Sequence, residues 1–176
     1  MNRGSGLSLA VALLLGATAA MAADFTVPMT LVTPTGTGAS VGAITVGQDA
    51  NGAMFKLNLK SLPPGPHGFH VHENGQCAPT TMNGTAIPAG AAGGHWDSDH
   101  TNKHEGPAGA GHIGDLPVLE AAADGTASQT LSAPRIKDIA VLKGHALMIH
   151  QHGDNYSDQP AALGGGGPRI ACGVIN

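Results

Sequence analysis

Between Phe25 and Ile175 the chain breaks repeatedly into short runs in which apolar and polar residues alternate, and no long stretch keeps a helical spacing. A period of two sends successive side chains to opposite faces of a strand. In the clearest run Phe55, Leu57 and Leu59 alternate with Lys56, Asn58 and Lys60, the pattern of a half-buried strand. Similar runs predict strands over Phe25–Thr33, Ser40–Val46, Gly68–His72, Thr126–Leu131, Ala146–His150 and Ile170–Ile175. Asn51-Gly52 and Asp124-Gly125 mark turns between them. The 27 glycines and 12 prolines, with only 3% aromatic residues, suit turns and loops better than a helical bundle. Short strands separated by Gly-rich turns fold as a sandwich or barrel, so the expected fold class is all-β and antiparallel.

Arg3 precedes an apolar run from Leu7 to Leu15, followed by small residues through Ala23. This predicts a secretory signal peptide over residues 1–22, cut after Ala20-Met21-Ala22, with an apolar core too short to span a bilayer. No later stretch is long and apolar enough for a membrane segment, so residues 23–176 are expected to be one soluble, exported domain, with no membrane contact in the mature form. A formal charge of −4 gives no attraction for nucleic acid. The two cysteines, Cys77 and Cys172, would meet oxidising conditions, which favour one disulfide. The alternative is two separate thiols, one binding metal, although neither sits in a C-x-x-C arrangement.

Two segments break the alternation, residues 73–115 and 151–169, and long loops in a compact domain usually carry function. The glycines Gly164–Gly167 lack the strand, lysine and helix of a phosphate loop and are read as a turn allowing close backbone approach. Ten histidines are a large excess for a chain this size. His70 and His72, two apart on a strand, project from one face and can grip one ion, while Phe69 and Val71 point into the core. A lone H-x-H is equally a pair of surface residues. Downstream, His95, His104, His112 and Asp115 fall within one loop, and imidazole with carboxylate suits tetrahedral zinc. Taken alone, that loop could equally be a pH-sensitive surface.

The strings His67-Gly68-Phe69-His70-Val71-His72, Gly111-His112-Ile113-Gly114-Asp115-Leu116 and Arg169-Ile170-Ala171-Cys172-Gly173-Val174-Ile175 resemble the copper/zinc superoxide dismutase family. Gly144-His145-Ala146-Leu147-Met148-Ile149-His150, then Gly153-Asp154-Asn155-Tyr156-Ser157-Asp158, resemble its bacterial periplasmic branch. The resemblance implies a periplasmic protein with a Greek-key, immunoglobulin-like antiparallel β-barrel and two long functional loops, either a monomer or a homodimer. It implies a copper ion on His70, His72, His95 and His150, and a zinc ion on His95, His104, His112 and Asp115. His95 would serve both ions as an imidazolate that has lost both ring protons. His150 is preferred to His152 because it ends the apolar strand Ala146–Ile149. Asp154 is implied to accept hydrogen bonds from the outer nitrogens of His70 and His104, the alternative being a simple Asx turn before Asn155. Ser98 and Ala108 depart from the family's usual residues, which bears on the conformation of the loop around them.

The implied activity converts two superoxide anions and two protons to dioxygen and hydrogen peroxide. One electron is taken from a first superoxide and given to a second, which copper can mediate and zinc cannot. The catalytic residues implied are His95, carrying a proton in that cycle, and Arg169, whose guanidinium attracts a small anion. For Arg169 the alternative is a surface ion pair. His67 is expected to hydrogen-bond within the barrel, and His100, His145 and His152 to be exposed or structural. Trp96 suits either plain packing or a dimer contact. The chief rival is a periplasmic copper or zinc store that keeps the scaffold without turnover. A structural or adhesion sandwich would not need H-x-H and a Gly-Asp carboxylate in this order.

Overall fold

The computed structural model describes residues 23–176, so the expected signal peptide lies outside the described residues. Eleven strands follow in order: β1 Phe25–Thr33, β2 Gly36–Asp49, β3 Gly52–Leu59, β4 Gly65–His67, β5 Phe69–His72, β6 Thr80–Met82, β7 Thr85–Ile87, β8 Leu119–Ala121, β9 Thr130–Ala133, β10 Ala146–His150 and β11 Arg169–Val174. Seven of them form one curled antiparallel sheet in the order β5-β10-β11-β1-β2-β3-β9. The insertion of β10 and β11 between β1 and β5 is the Greek-key crossing, and the domain is an all-β antiparallel barrel. Two small ladders, β4 with β8 and β6 with β7, complete the strands. Among the described residues the helical pieces are short 3-10 turns, and no helix is long and apolar enough to cross a membrane.

Alternation produces the strands where it was legible. Along β3 the side chains of Phe55, Leu57 and Leu59 are buried while Lys56 and Asn58 are exposed. Asn51-Gly52 joins β2 to β3, and Gly52 has to be glycine: its φ is +135°, and a Cβ would meet the Ala133 carbonyl at 2.6 Å. β1 and β10 have the expected bounds, and β2 is longer than expected at both ends. The expected strand at 126–131 is shifted to 130–133. Upstream of it the pairing with β3 thins to a bond from the Leu57 N–H to the Gln129 carbonyl and a bridge between Ala127 and Leu59. Inside the barrel Phe55 and Phe69 meet edge to face with ring centroids 5.6 Å apart, among Val27, Ile44, Leu57, Leu147 and Ile149. Burial of each such side chain contributes roughly 1.5–3 kcal/mol.

The edge of the sheet at β5 decides where the histidines sit. It is not left open: the Val71 N–H donates to the Gly114 carbonyl at 2.9 Å, and the Trp96 N–H to the Val71 carbonyl at 2.8 Å. His70 thereby lies opposite Asp115, and His72 opposite His95. Such cover satisfies an edge strand's free backbone groups, and it buries β5 on both faces, Phe69 and Val71 in the core and His70 and His72 under the loop. The approach depends on Gly114, where a Cβ would stand 2.3 Å from the Val71 carbonyl oxygen. A disulfide between Cys77 and Cys172 ties the start of the same loop to β11.

Candidate metal centre

Six histidines and one aspartate from β5, β10 and the long loop converge in one buried cluster: His70, His72, His95, His104, His112, Asp115 and His150 are each at most 8% exposed. At the centre the rings of His70 and His95 stack with centroids 3.8 Å apart. His72 and His150 stack beside them, 5.6 Å apart.

The hydrogen bonds at the rim fix which ring nitrogens are bare. The Nδ1 atoms of His72 and His150 lie 3.0 and 2.9 Å from the carbonyls of Gly93 and Gly167. A carbonyl only accepts, so in each neutral ring the proton sits on Nδ1 and Nε2 carries a lone pair. Those two Nε2 atoms face one another at 3.4 Å. His70 donates from Nε2 to Asp154 Oδ2 at 2.7 Å, which leaves its buried Nδ1 without a partner, and His95 Nε2 is likewise unpartnered. One ligand nitrogen from each of His70, His72, His95 and His150 lies within 4.8 Å of the others. Bare, buried nitrogens that converge are costly unless something electrophilic lies among them. A 3.4 Å separation is what two donors about 2.0–2.1 Å from a shared ion would show.

A second group lies on the other side of His95. Asp115 Oδ1 is 2.9 Å from His95 Nδ1 and 3.3 Å from His112 Nδ1, and its Oδ2 is 2.9 Å from His104 Nδ1. That last pair is close but lacks hydrogen-bond alignment, since His104 Nδ1 has no partner of suitable geometry. His70 also falls within reach of this group. Its Nε2, however, is engaged by Asp154 and its Nδ1 belongs to the first set, whereas His112 Nδ1 faces the same Asp115 oxygen as His95. Three imidazole nitrogens and a carboxylate are a donor set that fits zinc.

Asp154 links the two groups. Its side chain is fully buried, with Oδ2 accepting from His70 Nε2 and Oδ1 from His104 Nε2, both at 2.7 Å. Gly164 closes over it with φ +71°, and a Cβ there would stand 1.9 Å from Asp154 Oδ1. The Gly-rich turn is thus required by close approach to the carboxylate.

Electrostatics divide the cluster. Burial holds His70 and His72 well below the ordinary histidine range, and the neighbouring His95 adds to both shifts. Burial likewise takes His150 down to about 4. These rings are therefore neutral, as metal binding requires. His104 moves the other way: burial opposes its charge, but the close negative charge of Asp115 and the hydrogen bond to Asp154 outweigh that and raise it to about 9. Asp115 is held below the usual carboxylate range by His104 and His95, despite its burial.

Arg169, at the start of β11, donates from Nη1 to the Ala89 carbonyl and from Nη2 to the Gly93 carbonyl, each at 2.6 Å. Gly93 is also the acceptor for His72, so the guanidinium and that imidazole share one oxygen. Burial lowers the pKa of Arg169, and its charge helps to depress His72 and His150. The remaining histidines stand apart. His67 sits between the carbonyls of Pro63 and His150, His100 and His152 are exposed, and the His145 ring lies tilted against Trp96 with centroids 4.5 Å apart. Trp96 itself packs against the core.

Residues 40–175 match the family model described as copper/zinc superoxide dismutase. A Salmonella typhimurium protein named as a copper-zinc superoxide dismutase is 54% identical over 169 residues, covering 96% of this chain and 98% of that protein. Among solved structures, the copper/zinc superoxide dismutase of Brucella abortus superposes with a TM-score of 0.86 at 52% identity, over 88% of this chain and all of that one. The solution structure of a copper, zinc superoxide dismutase from Salmonella enterica, described as monomeric, gives a TM-score of 0.79 at 53% identity with the same coverage.

Proposed function

Because this chain belongs to the copper/zinc superoxide dismutase family, we propose that its histidine cluster is the two-metal centre of the reaction, with copper on His70, His72, His95 and His150 and zinc on His95, His104, His112 and Asp115. The enzyme disproportionates superoxide to dioxygen and hydrogen peroxide. The observation that carries the assignment is the convergence of bare nitrogens, with the outer ring nitrogens of His70, His72, His104 and His150 each held by an acceptor. Copper, when bound, supplies the one-electron exchange, and zinc keeps a fixed oxidation state.

The chain's own groups do the rest. His95 presents Nε2 to the four-nitrogen side and Nδ1 to the Asp115 side, so it is placed to take and return a proton at Nε2. Asp154 keeps the protons of His70 and His104 on their outer nitrogens, aiming both inner lone pairs at the ions. Arg169 offers a small anion a guanidinium that two carbonyls hold in place.

Two measurements test this reading. Metal-free protein spanning residues 23–176 should take up one copper and one zinc per chain and gain superoxide turnover with the copper; stable loading of both without turnover would favour a metal store. Arg169→Ala should slow turnover by about 10- to 10³-fold and flatten its salt dependence, since steering of a charged substrate is worth that much. Its metal content should stay unchanged, and loss of copper from that variant would contradict the role.

Export to the periplasm by a signal peptide over residues 1–22 accounts for the oxidised cysteine pair. A monomer is the simpler assembly, because Trp96 is already occupied by the core and His145.

A further inference from the structure

Arg135 belongs to none of the groups above, yet it holds the loop that carries them. It follows β9 and Pro134, and its backbone neighbours are pinned to the barrel: the Ala53 N–H donates to the Ile136 carbonyl at 2.9 Å, and the Ile136 side chain is buried. From this anchored position the half-buried guanidinium forms a fork. Nη1 donates to the His112 carbonyl at 3.0 Å and Nη2 to the Gly111 carbonyl at 2.8 Å. None of the salt bridges among the described residues involves Arg135, so its charge is spent on two carbonyls and not on a carboxylate.

The carbonyl of His112 is a significant one. It also accepts from the Asp115 N–H at 3.4 Å, closing the turn His112-Ile113-Gly114-Asp115, whose two ends are both metal-ligand candidates. The turn has little other freedom. Gly114 is pressed against Val71, and a Cβ on Gly111 would stand 2.2 Å from the Lys103 carbonyl oxygen. The fork arrives from the far end of the sheet. β9 and β5 are the two ends of the seven-stranded order, the loop covers β5, and Arg135 reaches that loop from just past β9. The same two hydrogen bonds therefore tie the β9 end of the sheet to the loop that covers β5 and hold the His112–Asp115 turn.

We propose that Arg135 is a positioning residue for zinc, its guanidinium fixing the His112–Asp115 turn through the carbonyls of Gly111 and His112. The proposal rests on the assignment of zinc to His95, His104, His112 and Asp115. A planar fork satisfies two neighbouring acceptors at once, and an ammonium does not hold both in a fixed relation.

The test uses the mature chain and three variants: Arg135→Met, which keeps the apolar stem, Arg135→Lys, and His112→Ala as a control. Zinc affinity is measured by competition with a chelator, the visible absorption of cobalt(II) in the zinc position reports its geometry, and copper affinity is measured on the zinc-free chain. Arg135→Met should weaken zinc by about 10- to 100-fold, the range for partners that orient metal ligands, and should shift the cobalt bands. Arg135→Lys should recover part of the loss, and copper affinity should stay within about threefold of the parent. Unchanged zinc affinity and cobalt spectrum in Arg135→Met would overturn the proposal, as would an equal loss of copper, which would mean general loosening. If His112→Ala leaves zinc affinity intact, the zinc assignment itself fails, and with it the premise for Arg135.

Discussion

Replacing His95 with alanine is expected to lower superoxide turnover per bound copper by at least about 10²-fold, the lower end of what a positioned proton donor contributes, while the barrel stays folded. His95 is the one ring with nitrogens in both groups: Nε2 is unpartnered on the four-nitrogen side and Nδ1 is 2.9 Å from Asp115. On the proposed assignment its removal takes a donor from each ion and the proton carrier from the reaction. Neighbouring His70, stacked on it at 3.8 Å, also loses its support. Activity is to be normalised to copper actually retained, which separates lost chemistry from lost metal. Full turnover per copper in the variant would show that the shared ring is not part of the cycle.

The double substitution Cys77→Ser with Cys172→Ser is expected to destabilise the protein by about 4–5 kcal/mol, because the bridge spans 95 residues and the unfolded chain loses much freedom when so long a loop is closed. For a domain of this size that corresponds to a fall in melting temperature of roughly 10–20 °C. The consequence reaches the site. The bridge anchors the loop to β11, the strand on which Arg169 sits, and Arg169 in turn holds the Ala89 and Gly93 carbonyls of that loop. Turnover of the folded variant should therefore fall as well, with metal retained. Thermal melts of metal-loaded protein provide the check, and a shift of under 3 °C would refute the estimate.

Strands that bury one face were legible, because alternation at Phe55, Leu57 and Leu59 is the physical signature of that burial. The four short strands were not. β6 and β7 are almost wholly exposed, with Met82 62% accessible, so no core imposes a pattern on them. A signal was nonetheless present in Asn83-Gly84, both residues at positive φ in the turn that joins them. In the histidine cluster, spacing alone placed His70 and His72 on one face of a strand. The partners that orient the rings came from far along the chain, Asp154 being 84 and 50 residues from the two histidines it holds. No local period encodes such a contact, and resemblance had to supply it. Arg135 left no trace in the sequence reading, because its acceptors are backbone carbonyls, which every residue has.

The carboxylate of Asp154 touches a ring from each half of the cluster, so on the proposed assignment the two halves are expected to be coupled. Any change that an ion in one half made to that carboxylate would be felt in the other, and its free energy would be common to both orders of filling. Linkage then demands symmetry: whatever factor the first ion adds to the affinity of the second, the second returns to the first.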